Sequence, residues 1–244
     1  MQKEKMKKNK YCLIIIICFW GNMINAQNTV QSILEAYTKA LQENKSYKVA
    51  VMYKIYKGHL STIPEEVKTG VFYKDKKKSY TKIEEVEIIN TPKIHVKINH
   101  GEKAILVADG IDSPKEARID LKELLKYFEA KIVEEKMKYW KLIFIPKGKI
   151  TQVPFSKLNV YLEKGSYNIL KQEFYYYTTM NFSSSLKSSD LAKVKLETSF
   201  KNYKEITKKE LSDIFEISKY ISMNHKKIKP SLRYKNYEIV VAKR

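Results

Sequence analysis

Short segments in which apolar and polar residues alternate, joined by turns of a few residues, dominate this chain of 244 residues. The clearest segment covers residues 93–99, where Ile94, Val96 and Ile98 alternate with polar neighbours. Alternation with a period of two is typical of a β-strand with one buried face. A parallel return needs a connection of a dozen or more residues, so connections this short favour antiparallel neighbours. The sequence therefore predicts a mainly β (α+β) fold built on an antiparallel sheet.

The same alternation predicts about ten strands along the chain. A sheet of that size is expected to curl or close, because flat open sheets with so many strands are uncommon. The expected architecture is a curved antiparallel sheet or an incomplete β-barrel. The predicted strands are residues 47–57, 70–73, 79–83, 87–90, 93–99, 103–108, 139–145, 157–163, 168–178, 193–201 and 237–242.

Three helices are predicted beside the strands. The first covers residues 28–44, where apolar residues recur at helical spacing on one face. A second begins near Ser113, where a serine, a proline and a glutamate form a typical helix start. A third, short helix follows Thr207. The N-terminal helix and the inserted helices are expected on the concave face of the sheet. The apolar stripe of the second helix comprises Leu121, Leu124, Leu125 and Phe128.

The N-terminus has the three parts of a secretory signal peptide. Residues 3–10 contain five lysines, residues 13–20 are almost wholly apolar, and Ala26 precedes the expected cleavage site. We therefore predict a signal peptide at residues 1–26 and a single exported domain at 27–244. The last part of that domain, about residues 221–244, forms a separate tail.

Two other roles for the N-terminus are less well supported. A membrane-spanning helix needs roughly 20 apolar residues, and this run is interrupted at Gly21. A lipid anchor at Cys18 would usually require a small residue before the cysteine, whereas Ile17 stands there. Both cysteines, Cys12 and Cys18, belong to the signal. Disulfides, thiolate metal sites and a cysteine nucleophile are therefore excluded from the exported domain.

The net charge of +20 raises the question of an anionic partner. Nucleic-acid sites favour arginine, whose planar guanidinium binds bases and phosphates in a bidentate manner. Only Arg118, Arg233 and Arg244 are arginines, and the lysines are spread along every segment among acidic residues. This distribution argues against a nucleic-acid partner. A solvated lysine surface is the simplest interpretation, and attraction to an anionic membrane surface is the functional one.

The order of these elements resembles the outer-membrane lipoprotein carrier superfamily, the LolA/LolB type. The resemblance covers residues 30 to 210. It is carried by an exported helix at 30–41 before the strand at 47–57, and by the segments 140–147 and 158–162. It implies a curved antiparallel sheet that forms an incomplete barrel, helices that fill its concave face, and a cavity that takes acyl chains. The tail departs from the family's pattern.

No arrangement of residues typical of catalysis is present in the sequence. The four histidines, His59, His95, His100 and His225, have no cysteine or carboxylate at a spacing typical of metal ligands. The chain has no glycine-rich phosphate loop and no serine in a strand–turn–helix elbow. We therefore predict no enzyme, no metal and no cofactor. An exported hydrolase built from dispersed residues is the remaining enzymatic alternative.

The resemblance predicts an exported, periplasmic binding protein whose partner is a lipid or an acylated protein. Alternation along the strands selects the residues that would face the cavity, although plain core packing would produce the same pattern. The main alternative is an exported scaffold that binds another protein, with a filled core and an exposed edge strand at 237–242. The cavity candidates are Val49, Val51, Ile94, Val96, Ile98, Leu142, Phe144, Val160 and Leu196.

Export is expected to remove residues 1–26, because the basic start, the short apolar core and Ala26 together fit a signal peptidase site. N-terminal sequencing and intact-mass measurement of the exported protein should give a chain that begins at Gln27. A chain that stays in the membrane with these residues attached would support a membrane anchor instead. An acylated N-terminus at Cys18 would support a lipoprotein.

Overall fold

The computed structural model describes residues 30–41, 46–110, 120–148, 153–183, 189–224 and 227–242. The predicted signal peptide lies outside the described residues, as does the start of the second helix at Ser113.

Three α-helices, two short 3₁₀ segments and fourteen β-strands make up the described chain. The helices are α1 (residues 30–41), α2 (Leu121–Leu124) and α3 (Lys208–Ile214), and the 3₁₀ segments are Ile217–Lys219 and Leu232–Tyr234. The strands are β1 (Tyr47–Lys57), β2 (Glu66–Asp75), β3 (Lys78–Ile83), β4 (Val86–Asn90), β5 (Ile94–Asn99), β6 (Ala104–Asp109), β7 (Phe128–Glu135), β8 (Tyr139–Pro146), β9 (Phe155–Glu163), β10 (Ile169–Asn181), β11 (Leu191–Glu205), β12 (Ile221–Asn224), β13 (Lys227–Pro230) and β14 (Glu238–Ala242).

Twelve strands form one curved, unclosed sheet in the order β14-β6-β5-β4-β3-β2-β1-β11-β10-β9-β8-β7. Strands β12 and β13 form a separate hairpin. The predicted fold class, a curved antiparallel sheet that does not close, is confirmed. One pair departs from it, because β14 runs parallel to β6. The chain between these two strands is far longer than the dozen residues that a parallel connection requires.

Two runs of antiparallel neighbours meet at the centre of the sheet. Strands β1–β6 are consecutive neighbours, and so are β7–β11. The pairing of β1 with β11 joins the two runs, from Tyr47 opposite Glu205 to Lys57 opposite Val194. The sheet is therefore continuous only through contacts between residues that lie far apart in the sequence.

Helix α1 packs on one side of this sheet. Val49 and Val51 of β1 are buried there, and we call the side that carries them the α1 face. Phe72 of β2 and Phe200 of β11 lie on the same side, because residues directly opposite in a ladder share a face. One apolar cluster extends over this face from β2 through β1 and β11 to β7, and it includes Leu121 of α2.

Over β3–β6 the buried side is the opposite one, which we call the α3 face. Tyr80 of β3 lies opposite Tyr73 of β2 on this side, and their ring centroids are 5.6 Å apart. Ile89 and Val96 follow on the next strands and are fully buried. Phe215, at the end of α3, and the tail residues Tyr220, Ile221 and Tyr234 complete this second apolar cluster. The buried side of the sheet thus changes between β2 and β3. Helices α1 and α2 share one face and α3 lies on the other, whereas the sequence predicted the N-terminal helix and the inserted helices on the same face.

Gly70 lies at the position where the buried side changes, directly opposite Ile83 of β3. A Cβ atom at this residue would stand 2.2 Å from the carbonyl oxygen of Lys82, which is closer than two such atoms can approach. Glycine in a strand often marks such a close backbone approach. The missing side chain therefore allows β3 to pack tightly against β2 at the boundary between the two clusters.

The second predicted helix is much shorter than expected in the described residues. Helix α2 begins after Asp120, whose side chain accepts hydrogen bonds from the backbone of Lys122 and Glu123. Phe128, predicted as part of the helix stripe, instead begins β7 and is fully buried. The same spacing is compatible with a helix turn followed by a strand. Leu121 lies in α2 and Phe128 lies in β7, yet both pack in the same cluster. Strands β7, β12 and β13 were not predicted.

A buried carboxylate connects the C-terminal tail to the sheet. Glu87 of β4 accepts a hydrogen bond from the hydroxyl of Tyr80 at 2.9 Å, and His100 Nε2 lies 2.8 Å from its other oxygen. His100 Nδ1 in turn lies 2.9 Å from the hydroxyl oxygen of Tyr237 in the tail. Burial alone would raise the pKa of Glu87, but the hydrogen bonds from His100 and Tyr80 and the charge of Lys82 hold it below its ordinary value.

Replacing Glu87 with glutamine is expected to weaken the protein mainly above acidic pH. A carboxyl whose pKa is lower in the folded state stabilises that state above its unfolded pKa and loses this effect as the pH falls. Glu87→Gln should therefore lower the free energy of unfolding by about 1–3 kcal/mol at neutral pH, and the difference from the parent should shrink in acid. Urea unfolding across this pH range measures it.

The exposed Glu102 in the neighbouring turn provides the control. Glu102→Gln should change the free energy of unfolding by less than about 0.5 kcal/mol at either pH. An equal loss in the two variants, or a Glu87→Gln loss that does not change with pH, would contradict this role of the buried carboxylate.

Candidate functional site

The interior between α1 and the sheet is the candidate site. Three residues of α1 point inward, Ile33, Leu34 and Tyr37, and all are buried. Their spacing places them on one side of the helix, as an amphipathic helix requires. They pack against Val49 and Val51 in the same cluster. A helix of twelve residues is roughly 18 Å long. The apolar cluster that α1 helps to bury extends over all the strands from β2 to β7.

The structure separates the nine predicted cavity residues into two groups. Six of them lie in the cluster on the α1 face, and three lie in the cluster on the α3 face. The nine therefore cannot surround one ligand. The separation follows from the change of buried side, because β5 lies beyond it while the other strands concerned lie before it. The six are Val49, Val51, Leu142, Phe144, Val160 and Leu196, and the three are Ile94, Val96 and Ile98.

A row of directly opposite residues crosses the α1 face and contains its polar groups. Tyr53 of β1 lies opposite Thr198 of β11, which lies opposite Gln172 of β10. The row continues through Val160 of β9 to Leu142 of β8. Neighbours in such a row have Cβ atoms about 4.5–5.5 Å apart. The polar side chains of Thr198 and Gln172 are therefore adjacent to each other within a largely apolar interior.

Gln172 is the unusual member of this row. Its side chain is 2% exposed, and its Nε2 atom is buried without any hydrogen-bond acceptor. Buried polar groups are nearly always paired, so an unpaired amide in an apolar cluster requires an explanation. Gln172 is not among the residues predicted from the sequence. The alternation of β10 could have identified it, because Gln172 lies two residues before Phe174 and therefore faces the same side of the strand.

The side of the row at β1 is more open than the rest. Tyr53 and Leu196 are half-buried members of the cluster, and Ile55, directly opposite Leu196, is half-buried as well. Val160 and Leu142, by contrast, are fully buried. We call Tyr53, Ile55 and Leu196 the rim. Burial of the Tyr53 phenol raises its pKa. The rim is thus one place where the apolar interior meets solvent, and the half-buried Ile132 of the edge strand β7, opposite Leu142, is another.

The α3 face of the same strands is polar. Lys171 Nζ lies 2.7 Å from one oxygen of Glu173 and 3.7 Å from Glu197, and Asn159 donates a hydrogen bond to Glu173 at 2.8 Å. Burial would raise the pKa of Glu173, but the bonds from Lys171 and Asn159 lower it. The amine of Lys171 also lies 4.3 Å from the ring centroid of Tyr161. This network leaves the α1 face as the apolar side of β8–β11.

The tyrosine-rich run in β10 divides between the two sides. Phe174 and Tyr176 lie on the α1 face, where both contact the ring of Phe155. Tyr175 lies on the other side, with the amine of Lys157 at 3.7 Å from its ring centroid. The run therefore contributes aromatic surface to the candidate interior through its inward members.

Neither a membrane helix nor a metal site is found in the described ranges. Within them, no helix combines the length and apolar composition needed to cross a membrane. Across the same residues, no three or more histidine, cysteine or acidic side chains are grouped so that they could hold a metal ion.

Comparison with known proteins gives similarity at the level of structure alone. No protein-family profile and no curated protein matches the sequence. An uncharacterized conserved protein from Thermus thermophilus is 11% identical with a TM-score of 0.48, over 88% of this chain and 99% of that one. A LolA superfamily protein from Nitrosomonas europaea is 12% identical with a TM-score of 0.31, over 75% of this chain and 96% of that one. The Mycobacterium tuberculosis lipoprotein LppX is 9% identical with a TM-score of 0.34, over 74% of this chain and 97% of that one.

A protein of the LolA superfamily, the family that the sequence resembles, is thus among the similar structures.

Truncating Leu34 tests whether α1 is firmly packed over the site. Leu34 is fully buried, so Leu34→Ala should lower the free energy of unfolding by about 2–5 kcal/mol. Lys39→Ala, on the exposed side of the same helix, should change it by less than about 0.5 kcal/mol. Chemical denaturation measures both values. Equal effects in the two variants would show that α1 does not close the interior.

Proposed function

We propose that this protein is an exported, non-catalytic binding protein that holds an acyl chain of a lipid or an acylated protein between α1 and the α1 face of the sheet. The observation that supports this most directly is the apolar cluster of the α1 face. It extends across seven strands, is covered by helices, and reaches solvent at the half-buried rim.

Hydrophobic transfer would supply the affinity. Each methylene that moves from water into an apolar interior contributes about 0.8 kcal/mol. The six predicted residues on the α1 face offer such surroundings, because five of them are almost fully buried and Leu196 lies at the rim. The polar network around Lys171 and Glu173 offers none, which makes the α1 face the favoured side for an acyl chain.

Export to the periplasm is part of this proposal and depends on the predicted signal peptide at residues 1–26. The exported domain keeps most of the net charge of +20, because residues 1–26 hold only five of the 47 lysines and arginines. This positive charge would attract it to anionic headgroups, where lipid or acylated protein is handed over. The lysines would act through long-range attraction, because surface charge draws a protein to an anionic membrane without a specific pocket.

The proposal assigns no catalytic step. The described carboxylates that come closest to a catalytic pair are Glu173 and Glu197, which lie directly opposite each other on β10 and β11. Both are paired with Lys171, and Glu197 is also 3.3 Å from Lys54. Despite its burial, the bonds from Lys171 and Asn159 hold the pKa of Glu173 below its ordinary value, which disfavours a role as proton donor. An exported hydrolase remains the weaker alternative.

A protein-binding scaffold is the main alternative, and β14 is the observation that favours it. This strand forms one edge of the sheet, and its Val240 and Val241 side chains are 58% and 44% exposed. An edge strand presents unpaired backbone groups to which a partner strand can add. In this alternative the interior would be filled by the protein's own side chains.

A matched pair of charge substitutions distinguishes the two functions. Leu196 and Ile94 are both half-buried apolar residues on strands, one at the rim of the α1 face and one in the cluster of the α3 face. Leu196→Lys should abolish retention of lipid by the exported protein, because it places a charge at the entrance to the interior. Ile94→Lys should retain lipid. Native mass spectrometry, followed by lipid extraction, measures the bound species.

Circular dichroism and thermal unfolding confirm that both variants fold before their masses are compared. A bound species of lipid mass in the parent and in Ile94→Lys, but not in Leu196→Lys, supports an acyl-chain site on the α1 face. A parent protein that carries no lipid and takes up none when lipid or acylated peptide is added contradicts the proposal, and leaves the scaffold as the working function.

A further inference from the structure

The unpaired amide of Gln172 indicates what kind of acyl ligand the interior takes. In the row across the α1 face, Thr198 is its neighbour on one side and Val160 on the other. Phe174, two residues further along the same strand, faces the same interior. A core that only had to be packed would be better served by an apolar residue here, because a buried donor without an acceptor lowers stability.

We infer that Gln172 Nε2 donates a hydrogen bond to the carbonyl oxygen of the bound acyl group, so that the site selects ester- or amide-linked chains over ether-linked chains and hydrocarbons. This inference rests on the proposed function. A carbonyl oxygen brought by the ligand would pair the buried donor, which the protein's own side chains leave unpaired. A site built to pair a polar group discriminates strongly against analogues that lack it.

The polarity of the row sets the direction of the ligand. Tyr53 and Thr198 lie on the β1 side of Gln172, whereas Val160, Leu142 and the half-buried Ile132 of the edge strand β7 lie on the other side. With its carbonyl at Gln172, the chain extends over the apolar Val160 and Leu142 toward β7. The polar part of the ligand then leaves past Thr198 and the rim. Gln172 therefore lies at the junction between the acyl chain and its headgroup.

Two probes that differ only at this junction test the inference. One is lysophosphatidylcholine with an ester-linked acyl chain, and the other is its ether-linked analogue of the same chain length, which lacks the carbonyl. The parent protein should bind the ester about fivefold to tenfold more tightly, the ratio expected for one net hydrogen bond. Gln172→Met, close in shape but without a donor, should bind the two probes equally and should bind the ether as tightly as the parent does.

The thermal stability of the ligand-free protein provides a second measurement, in which Gln172→Met is expected to gain rather than to lose. Replacing an unpaired buried amide with an apolar side chain of similar size should raise the thermal midpoint. A glutamine with only a structural role would give the reverse, because its removal would lower the midpoint. Gln172→Leu serves as a second variant if Gln172→Met does not fold.

Thr198→Val is the matched control, since it removes the neighbouring hydroxyl at nearly constant shape and should keep the preference for the ester. Equal binding of ester and ether by the parent, or an ester preference that survives in Gln172→Met and disappears in Thr198→Val, would overturn the role of Gln172 while leaving acyl binding intact. Failure of the parent to bind either probe would overturn the proposed function and this inference together.

Discussion

The antiparallel pairing of β1 with β11 is the contact on which the rest of the structure depends. On the α1 face, the buried residues of β1 and β2 belong to one run of strands and those of β7–β11 to the other. Joined through β1, they place Val51 beside Phe200, so that α1 can cover residues from both runs at once. Without this pairing, β1 and β11 would no longer lie side by side under α1. The apolar residues of the α1 cluster would then be exposed, because a single short helix cannot bury either run alone.

The change of buried side between β2 and β3 gives the two halves of the sheet different roles. The α3 face over β3–β6 is packed by the C-terminal tail, with Tyr220 and Tyr234 stacked against each other and Glu87 paired with His100. The α1 face over β1 and β7–β11 keeps a half-buried rim and the unpaired Gln172. The α3 face is thus covered by the protein's own tail, and the α1 face has a buried amide donor, Gln172 Nε2, without an acceptor.

Alternation within single strands was readable from the sequence, but the relation between strands was not. The strands with clear alternation, such as β1 and β5, were predicted close to their actual bounds. Alternation shows that Val96 and Val160 are buried but not on which side, because that depends on register and on the position of Gly70. Phe128 was assigned to a helix because its spacing from Leu121 and Leu124 fits both a helix stripe and the start of a strand. Gln172 was missed because an unpaired amide is a property of its neighbours in space.

The position of β14 has a consequence for how the chain reaches its final shape. Strands β1–β6 and β7–β11 pair with their neighbours in sequence, whereas β6 pairs with β14 and β1 with β11 only across long stretches of chain. Contacts this distant in sequence form slowly, since a long loop must close before they contribute. The edge at β14 and the centre of the sheet are therefore expected to form last, after β11 and β14 have both been made, whereas the hairpins between consecutive strands can form earlier.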